Sequence, residues 1–306
     1  MASPTIFNDL DGEPGIQRPK LEVSLALSQT LLEAAKRLPH YDNHEFYSTE
    51  LQSFVAERIR QSCPEEFDGL VTSIKTQVSG WPYWVVVRGL QFDEGNRLFV
   101  GLNRAFGQLL APPYQKPRAQ LIHYIQPSTD LKSARGGHES ERLHTDTADW
   151  RPPVELISMV CVRPDRQNGG RSRILDVDSI RDEVKNQLGA ETLKLLEDEP
   201  VPWLLADYSG GGIDWRPVLS KTNICWRRYT IELALQSGGI RLSQVMQSAL
   251  NAFEDVIANT SRTADFLMKE QELLFSNNRR TIHARTPVSG GDLSDRLMLR
   301  SWIRTS

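Results

Sequence analysis

Past residue 119 the sequence breaks into short β-branched and aromatic runs separated by long connections, and this rhythm limits the possible folds most. Runs at 119–125 (AQLIHYI), 154–163 (VELISMVCVR), 172–176 (SRILD), 223–233 (NICWRRYTIEL), 272–283 (ELLFSNNRRTIH) and 296–303 (RLMLRSWI) read as strands. No regular strand–helix alternation joins them. Neither GxGxxG nor a Walker loop is present, which argues against Rossmann and P-loop architectures. Short strands with long decorated connections predict a mainly β fold with flanking helices, built on a jelly roll or sandwich.

Upstream the texture is helical. Amphipathic spacing predicts helices over 24–38 and 48–62, each with Ser or Thr at hand to cap its start, and a third over 93–111. The stretch YWVVVRGL (83–90) reads as a buried strand. Residues 1–20, rich in Pro, Gly and Asp, are expected to lie over the surface. Helical patches near 178–198 and 241–258 fall between the later strands, beside Gly-rich loops at 132–140 and 207–216. With no linker-like stretch, the 306 residues read as one domain: a helical N-terminal elaboration over 1–80, then a β core over 81–306 with a helical insert around 178–258.

Charge is spread evenly, to a net of -3, so no basic tract calls for nucleic acid. Cys63, Cys161 and Cys225 are far apart and odd in number, as expected of reduced thiols in a cytoplasmic protein. The N-terminal stretch has no apolar h-region, and no segment is apolar enough for a membrane.

The motif that invites chemistry is ERLHTDTADW (141–150). In an extended strand His144 and Asp146 would project to one face, and Thr145 and Thr147 to the other. Two ligands do not make a metal site, so a third must come from elsewhere. Of the six histidines, His40 and His44 flank a turn-like PHYDNH, His123 sits in an apolar strand as a core histidine does, and His138 lies in the Gly-rich loop. His283 ends an apolar strand, where a side chain can face a cavity. Two imidazoles and one carboxylate on one face leave coordination positions open, which suits non-haem Fe(II). Alone, HxD is a weak signal that arises by chance in many chains, and an ordinary polar patch is its commoner explanation. Arg296 and Arg300 alternate with Leu297 and Leu299 in DRLMLRSWIR. A guanidinium pointing inward needs an anion, whereas a solvated edge strand needs none.

Taken together, and in order, these landmarks resemble the TauD/TfdA-like Fe(II)/2-oxoglutarate-dependent dioxygenases, relatives of taurine dioxygenase and the clavaminate-synthase-like enzymes. WVVVRGL is similar to the family's early strand. LHTDTADWRPPVELISMVCVRPDRQNGGRSRILDV is similar to the proximal segment, LLFSNNRRTIHART to the distal one, and DRLMLRSWI to the closing arginine strand. The N-terminal 80 residues match nothing in that pattern.

The resemblance implies a double-stranded β-helix (jelly-roll) core. It implies that His144, Asp146 and His283 are catalytic and bind Fe(II), and that Arg296 pairs with the distal carboxylate of 2-oxoglutarate. Ser172 stands where the family has threonine and would bond the same carboxylate. Arg300 would contact the cofactor's 1-carboxylate region or an anionic substrate. O2 would be the oxidant, succinate and CO2 the co-products, and Asp146 argues against halogenation.

Asp149, Trp150 and Trp215 are candidates to line the substrate mouth, with the loop around Trp215 as a lid; loop or core packing is the plain alternative for both tryptophans. The expected substrate is a small molecule, amino-acid- or peptide-derived and part of a specialised pathway, oxidised at an unactivated C–H bond. Catabolism of a sulfonate or small carboxylate is the alternative with the same chemistry. A zinc hydrolase on the same ligands and a non-catalytic ligand-binding jelly roll are the readings of other classes.

Overall fold

The computed structural model describes residues 5–9, 18–111, 121–127, 141–288 and 296–305. The predicted loop at 132–140, His138 included, lies outside them. The described residues are mixed helix and sheet, 40% and 24%, rather than mainly β. Much of the excess is helix that the strand rhythm hides.

In chain order the elements are β1 (Thr5–Asp9), β2 (Arg18–Glu22), α1 (Leu25–Lys36), α2 (Thr49–Arg60), α3 (Pro64–Ser79), β3 (Trp84–Arg88), α4 (Arg97–Arg104), β4 (Gly107–Leu110), β5 (His123–Ile125), β6 (Leu156–Arg163) and β7 (Ser172–Asp176). There follow α5 (Val177–Leu188), α6 (Ala190–Asp198), β8 (Val201–Leu204), β9 (Ile213–Arg216), α7 (Arg228–Gly238), α8 (Gln244–Asn259), β10 (Ala264–Phe266), β11 (Leu273–Asn277), β12 (Thr281–Arg285) and β13 (Leu297–Thr305).

Two sheets face each other. The larger runs β1-β2-β3-β11-β6-β13-β4, with β5 also on β13, and the smaller runs β10-β7-β12. Alternation along the strands sorts side chains between two layers. Val85, Val87, Val160, Leu273, Phe275, Leu299 and Ile303 pack outward under α1–α4. Trp84, Val86, Cys161, Leu274 and Met298 point inward and meet Ile174 and Phe266 of the small sheet. The outer face of the small sheet, through Leu175, Ile282 and Ala284, is covered by the segment 177–257 with its helices α5–α8. The site lies between the sheets.

Helix starts follow their caps. Ser24, Ser48, Asp176 and Ser243 accept from the backbone N–H groups of Leu27, Leu51, Ser179 and Met246. The sequence reading misses α3, although Pro64 at its first turn, two glutamates after it and buried Phe67, Leu70, Val71, Ile74 and Val78 all mark it. The run at 223–233 becomes α7, whose Ile231 and Ala234 are buried one turn apart. The third predicted helix stops at Arg104 and passes into β4. Residues 18–22 do not simply cross the surface: β2 pairs with β3 in parallel, Lys20 opposite Val86, and β1 adds on beyond it. That edge is joined through backbone groups, which leave little mark on side-chain pattern.

The run at 272–283 is two strands. β11 ends at Asn277 in the large sheet, residues 278–280 turn the corner, and β12 enters the small sheet against β7. His283 therefore sits in the middle of a short strand, opposite Ile174, rather than at the end of a long one.

Candidate metal and anion site

HTD is not a regular strand. His144 pairs with His283 in a single antiparallel bridge, each N–H donating to the other's carbonyl at 2.9 Å. The chain turns at once, with Thr147 in the left-handed region at φ 54. The bridge and the turn, not strand alternation, bring the three side chains together. Ligand atoms of His144, Asp146 and His283 lie within 4.8 Å of one another. Oδ1 of Asp146 is 3.6 Å from Nε2 of His144 and 3.9 Å from Nε2 of His283.

Backbone hydrogen bonds fix this corner. The N–H of Thr145 donates to the carbonyl of Trp226 at 2.7 Å, and its hydroxyl accepts from the Trp226 N–H at 3.0 Å. The Thr147 hydroxyl accepts from Val154 at 2.9 Å. Both threonines are buried and hydrogen-bonded, so they do more than pack on a far face. Asn278, fully buried at the β11–β12 corner, accepts from the Asp146 N–H at 2.9 Å and donates to the carbonyls of Asp146 at 3.0 Å and Val154 at 2.9 Å.

The electrostatics favour a cation. Nδ1 of His144 lies 2.8 Å from the carbonyl of Arg142. A carbonyl only accepts, so Nδ1 carries the proton and Nε2 presents a lone pair to the cleft. His283 has no second anchor among the described residues, its Nδ1 being buried without a partner there. Burial takes its pKa down to about 3, against the pull of Asp146, so the ring is neutral at ordinary pH. Burial pushes the Asp146 carboxyl up, but the Arg300 guanidinium and the two histidines hold it well below the usual carboxylate range. Two imidazoles and one ionised carboxylate form a donor set that fits a divalent transition metal.

Beside the triad a cavity is lined by Ile125, Met159, Ile174 and Leu274 and reaches Ser172 and Arg296. Arg296 is 5% exposed and donates from NH2 to the carbonyl of Gly170 at 3.1 Å. Burial lowers its pKa to about 10, which still leaves it cationic. Gly170 is required on two counts. Its φ is +63, and a Cβ there would sit 2.6 Å from Nε of Arg296.

Of the other sequence candidates, Arg300 lines this cavity, whereas Asp149, Trp150 and Trp215 do not. Arg300 points inward but donates from NH1 to Oδ2 of Asp146 at 2.8 Å, so the triad carboxylate is its anion. Trp302, not singled out from sequence, donates Nε1–H to the same oxygen at 2.8 Å. Trp150 packs edge-to-face on Trp302, at 5.4 Å between ring centroids, as core rather than mouth. Asp149 is half-buried, and its carbonyl accepts from Ala206 at 3.0 Å. Trp215 is 50% exposed on β9 and lines a separate surface pocket with Arg151 and Arg279. The loop before it is the turn of the β8–β9 hairpin. His123, buried on β5, packs edge-to-face on Trp302 and accepts from Arg300. Arg227 was not anticipated either. It follows Trp226, is half-buried, and its charge reaches His283, yet its guanidinium makes no hydrogen bond or ion pair with the described residues.

No family model and no curated protein matches the chain. Solved structures do. The asparagine oxygenase AsnO aligns with a TM-score of 0.69 and 15% identity over 94% of this chain and 93% of that one. The non-haem iron oxygenase OrfP, in complex with Fe and alpha-ketoglutaric acid, aligns with a TM-score of 0.70 and 15% identity over 94% of each. A mutant of OrfP, in complex with (3S)-hydroxy-L-Arg, gives 0.71 and 17%, again over 94% of each. The chain has the non-haem iron oxygenase fold. The likeness extends beyond the last 220 residues to the N-terminal helices, for which the sequence offered no match. Among the described residues no helix is long and apolar enough to cross a membrane.

Proposed function

We propose that the chain is an Fe(II)- and 2-oxoglutarate-dependent dioxygenase in one domain, that its facing sheets form a double-stranded β-helix, and that it hydroxylates an unactivated C–H bond of a small amino-acid- or peptide-derived molecule. The observation that carries this is the convergence of His144, Asp146 and His283 beside a cavity that is also lined by the buried cation Arg296 and by Ser172. AsnO and OrfP, which share the fold at low identity, are crystallised with hydroxylated asparagine and arginine, and this favours a free amino acid as substrate.

Bound Fe(II) supplies redox chemistry that couples decarboxylation of 2-oxoglutarate to transfer of one oxygen atom from O2 into the substrate. The protein's part is placement. His144 and His283 offer Nε2 lone pairs, and Asp146 offers Oδ1. Arg296, steered by the carbonyl of Gly170, and Ser172 hold the distal carboxylate of 2-oxoglutarate by charge-assisted hydrogen bonds. The apolar walls keep bulk water from that ion pair, which strengthens it. Arg227, the guanidinium near the triad not engaged by the described residues, faces the substrate's carboxylate.

The test is succinate release by purified protein with Fe(II), O2 and 2-oxoglutarate across a panel of L-amino acids and cyclic dipeptides. At least one compound should raise succinate well above the uncoupled rate. No turnover across the panel, together with no rise in melting temperature on adding Fe(II) and 2-oxoglutarate, would sink the proposal.

A further inference from the structure

The two oxygens of Asp146 are held differently, and we propose that Trp302, with Arg300, is a positioning residue that makes Asp146 a one-oxygen ligand through Oδ1. The indole Nε1–H of Trp302 and NH1 of Arg300 both donate to Oδ2, each at 2.8 Å. Oδ1 faces the two imidazole Nε2 atoms at 3.6 and 3.9 Å. An oxygen that already accepts two N–H donors has its in-plane lone pairs engaged, so metal binding through Oδ2 would break at least one of those bonds.

Neither donor can follow the carboxylate if it turns. Trp302 is 4% exposed, with its ring edge-to-face against Trp150 at 5.4 Å and against His123 at 4.4 Å. The Arg300 guanidinium lies over the same indole at 4.9 Å, and its Nε and NH2 approach Nδ1 of His123 at 3.4 Å. Asn278 holds the Asp146 backbone from the opposite side. The carboxylate is thus gripped at its backbone and at one oxygen, and the other oxygen faces the two imidazoles.

The consequence is a count of coordination positions. Three one-atom ligands leave three positions of an octahedral ion, enough for a chelating 2-oxo acid and O2. A two-oxygen Asp146 would leave two, and the 2-oxo acid would fill both. Trp302 therefore protects the oxygen-binding position without touching the substrate. Arg300, engaged on Asp146, is a positioning residue too and not a co-substrate ligand.

The inference rests on the triad being a metal site, and the test separates the two. Wild type, Trp302→Phe and Trp150→Phe are titrated anaerobically with Co(II), reading the dissociation constant by calorimetry and the visible ligand-field bands by absorption. Trp302→Phe keeps an aromatic ring in the layer while removing the N–H together with the rest of the five-membered ring, and the matching loss in Trp150→Phe controls for the smaller ring. Expected is a loss of about tenfold in Co(II) affinity, with bands altered by entry of the second carboxylate oxygen. Trp150→Phe, which alters the same aromatic layer without a bond to Asp146, should match wild type. Wild-type affinity and bands in Trp302→Phe would overturn this proposal alone. Failure of wild type to bind Co(II) would overturn the triad reading and this one with it. Should Trp302→Phe not fold, the Trp302 indole N–H in the wild-type protein decides the matter. It should stay protected from solvent exchange with Zn(II) bound, and rapid exchange on adding Zn(II) would show that Asp146 had turned.

Discussion

Replacing Gly170 with alanine should cost the protein twice, in two separable ways. The first cost is backbone strain. Gly170 has φ +63, and a left-handed alanine costs about 1–2 kcal/mol. The second is displacement of Arg296. The new Cβ would lie 2.6 Å from its Nε and 2.8 Å from its Cδ, so the guanidinium must leave the carbonyl it now bonds at 3.1 Å. Losing one charge-assisted hydrogen bond to the 2-oxoglutarate carboxylate costs about 1.5–3 kcal/mol. At 1.4 kcal/mol per decade, that is an affinity loss of about ten- to a hundredfold. Gly239 is the control. It is left-handed too, at φ +60, but nothing lies within 4 Å of its added Cβ. Urea unfolding measures the strain in both variants, and anaerobic calorimetry of 2-oxoglutarate on metal-loaded protein measures the displacement. Both variants should lose similar stability, and only Gly170→Ala should lose the co-substrate. Unchanged 2-oxoglutarate affinity in Gly170→Ala would refute the assignment of Arg296.

Three further outcomes are expected. Asn278→Ala strips partners from the Asp146 N–H and from the carbonyls of Asp146 and Val154, and should lower stability by about 3 kcal/mol; an equal urea midpoint would count against the clamp. The metal-free protein should weaken as pH falls from 6.5 toward 3. His283 titrates near 3 when folded and near 6.5 when unfolded, so the unfolded chain takes up the proton first, at a slope of up to about 1.4 kcal/mol per pH unit. His283→Gln should unfold with a shallower pH dependence by one proton, and parallel curves would contradict the assignment. Arg227→Gln should raise KM for a carboxylate-bearing substrate about tenfold or more while leaving Fe(II) and 2-oxoglutarate affinity alone; a shift in co-substrate affinity instead would place Arg227 elsewhere.

The sequence showed what acts locally. The strand at 172–176 has its predicted bounds, the capped helices α1, α2 and α8 stand close to theirs, and the inward alternation of Arg296, Met298 and Arg300 holds. His144, Asp146 and His283 do converge, but through a bridge and a left-handed turn rather than through strand alternation. What stayed hidden acts across long stretches of chain. Asn278 reaches Asp146 over 132 residues, Arg296 reaches Gly170 over 126, and Trp302 reaches Asp146 over 156. Asparagine, glycine and tryptophan carry no periodic signal that would announce such partners. The same limit hid the bond from Arg300 to Asp146. An inward arginine declares that it needs an anion, but not which one.

Anaerobic titration of Fe(II) and 2-oxoglutarate into the purified protein tests the central claim most directly. One Fe(II) per chain should bind, 2-oxoglutarate should bind tightly only after it, and the charge-transfer absorption of a chelated 2-oxo acid should appear. His144→Ala should abolish all three, and Arg296→Leu should spare Fe(II) while weakening 2-oxoglutarate. Binding of 2-oxoglutarate without iron, or full Fe(II) affinity in His144→Ala, would contradict the assignment of this site.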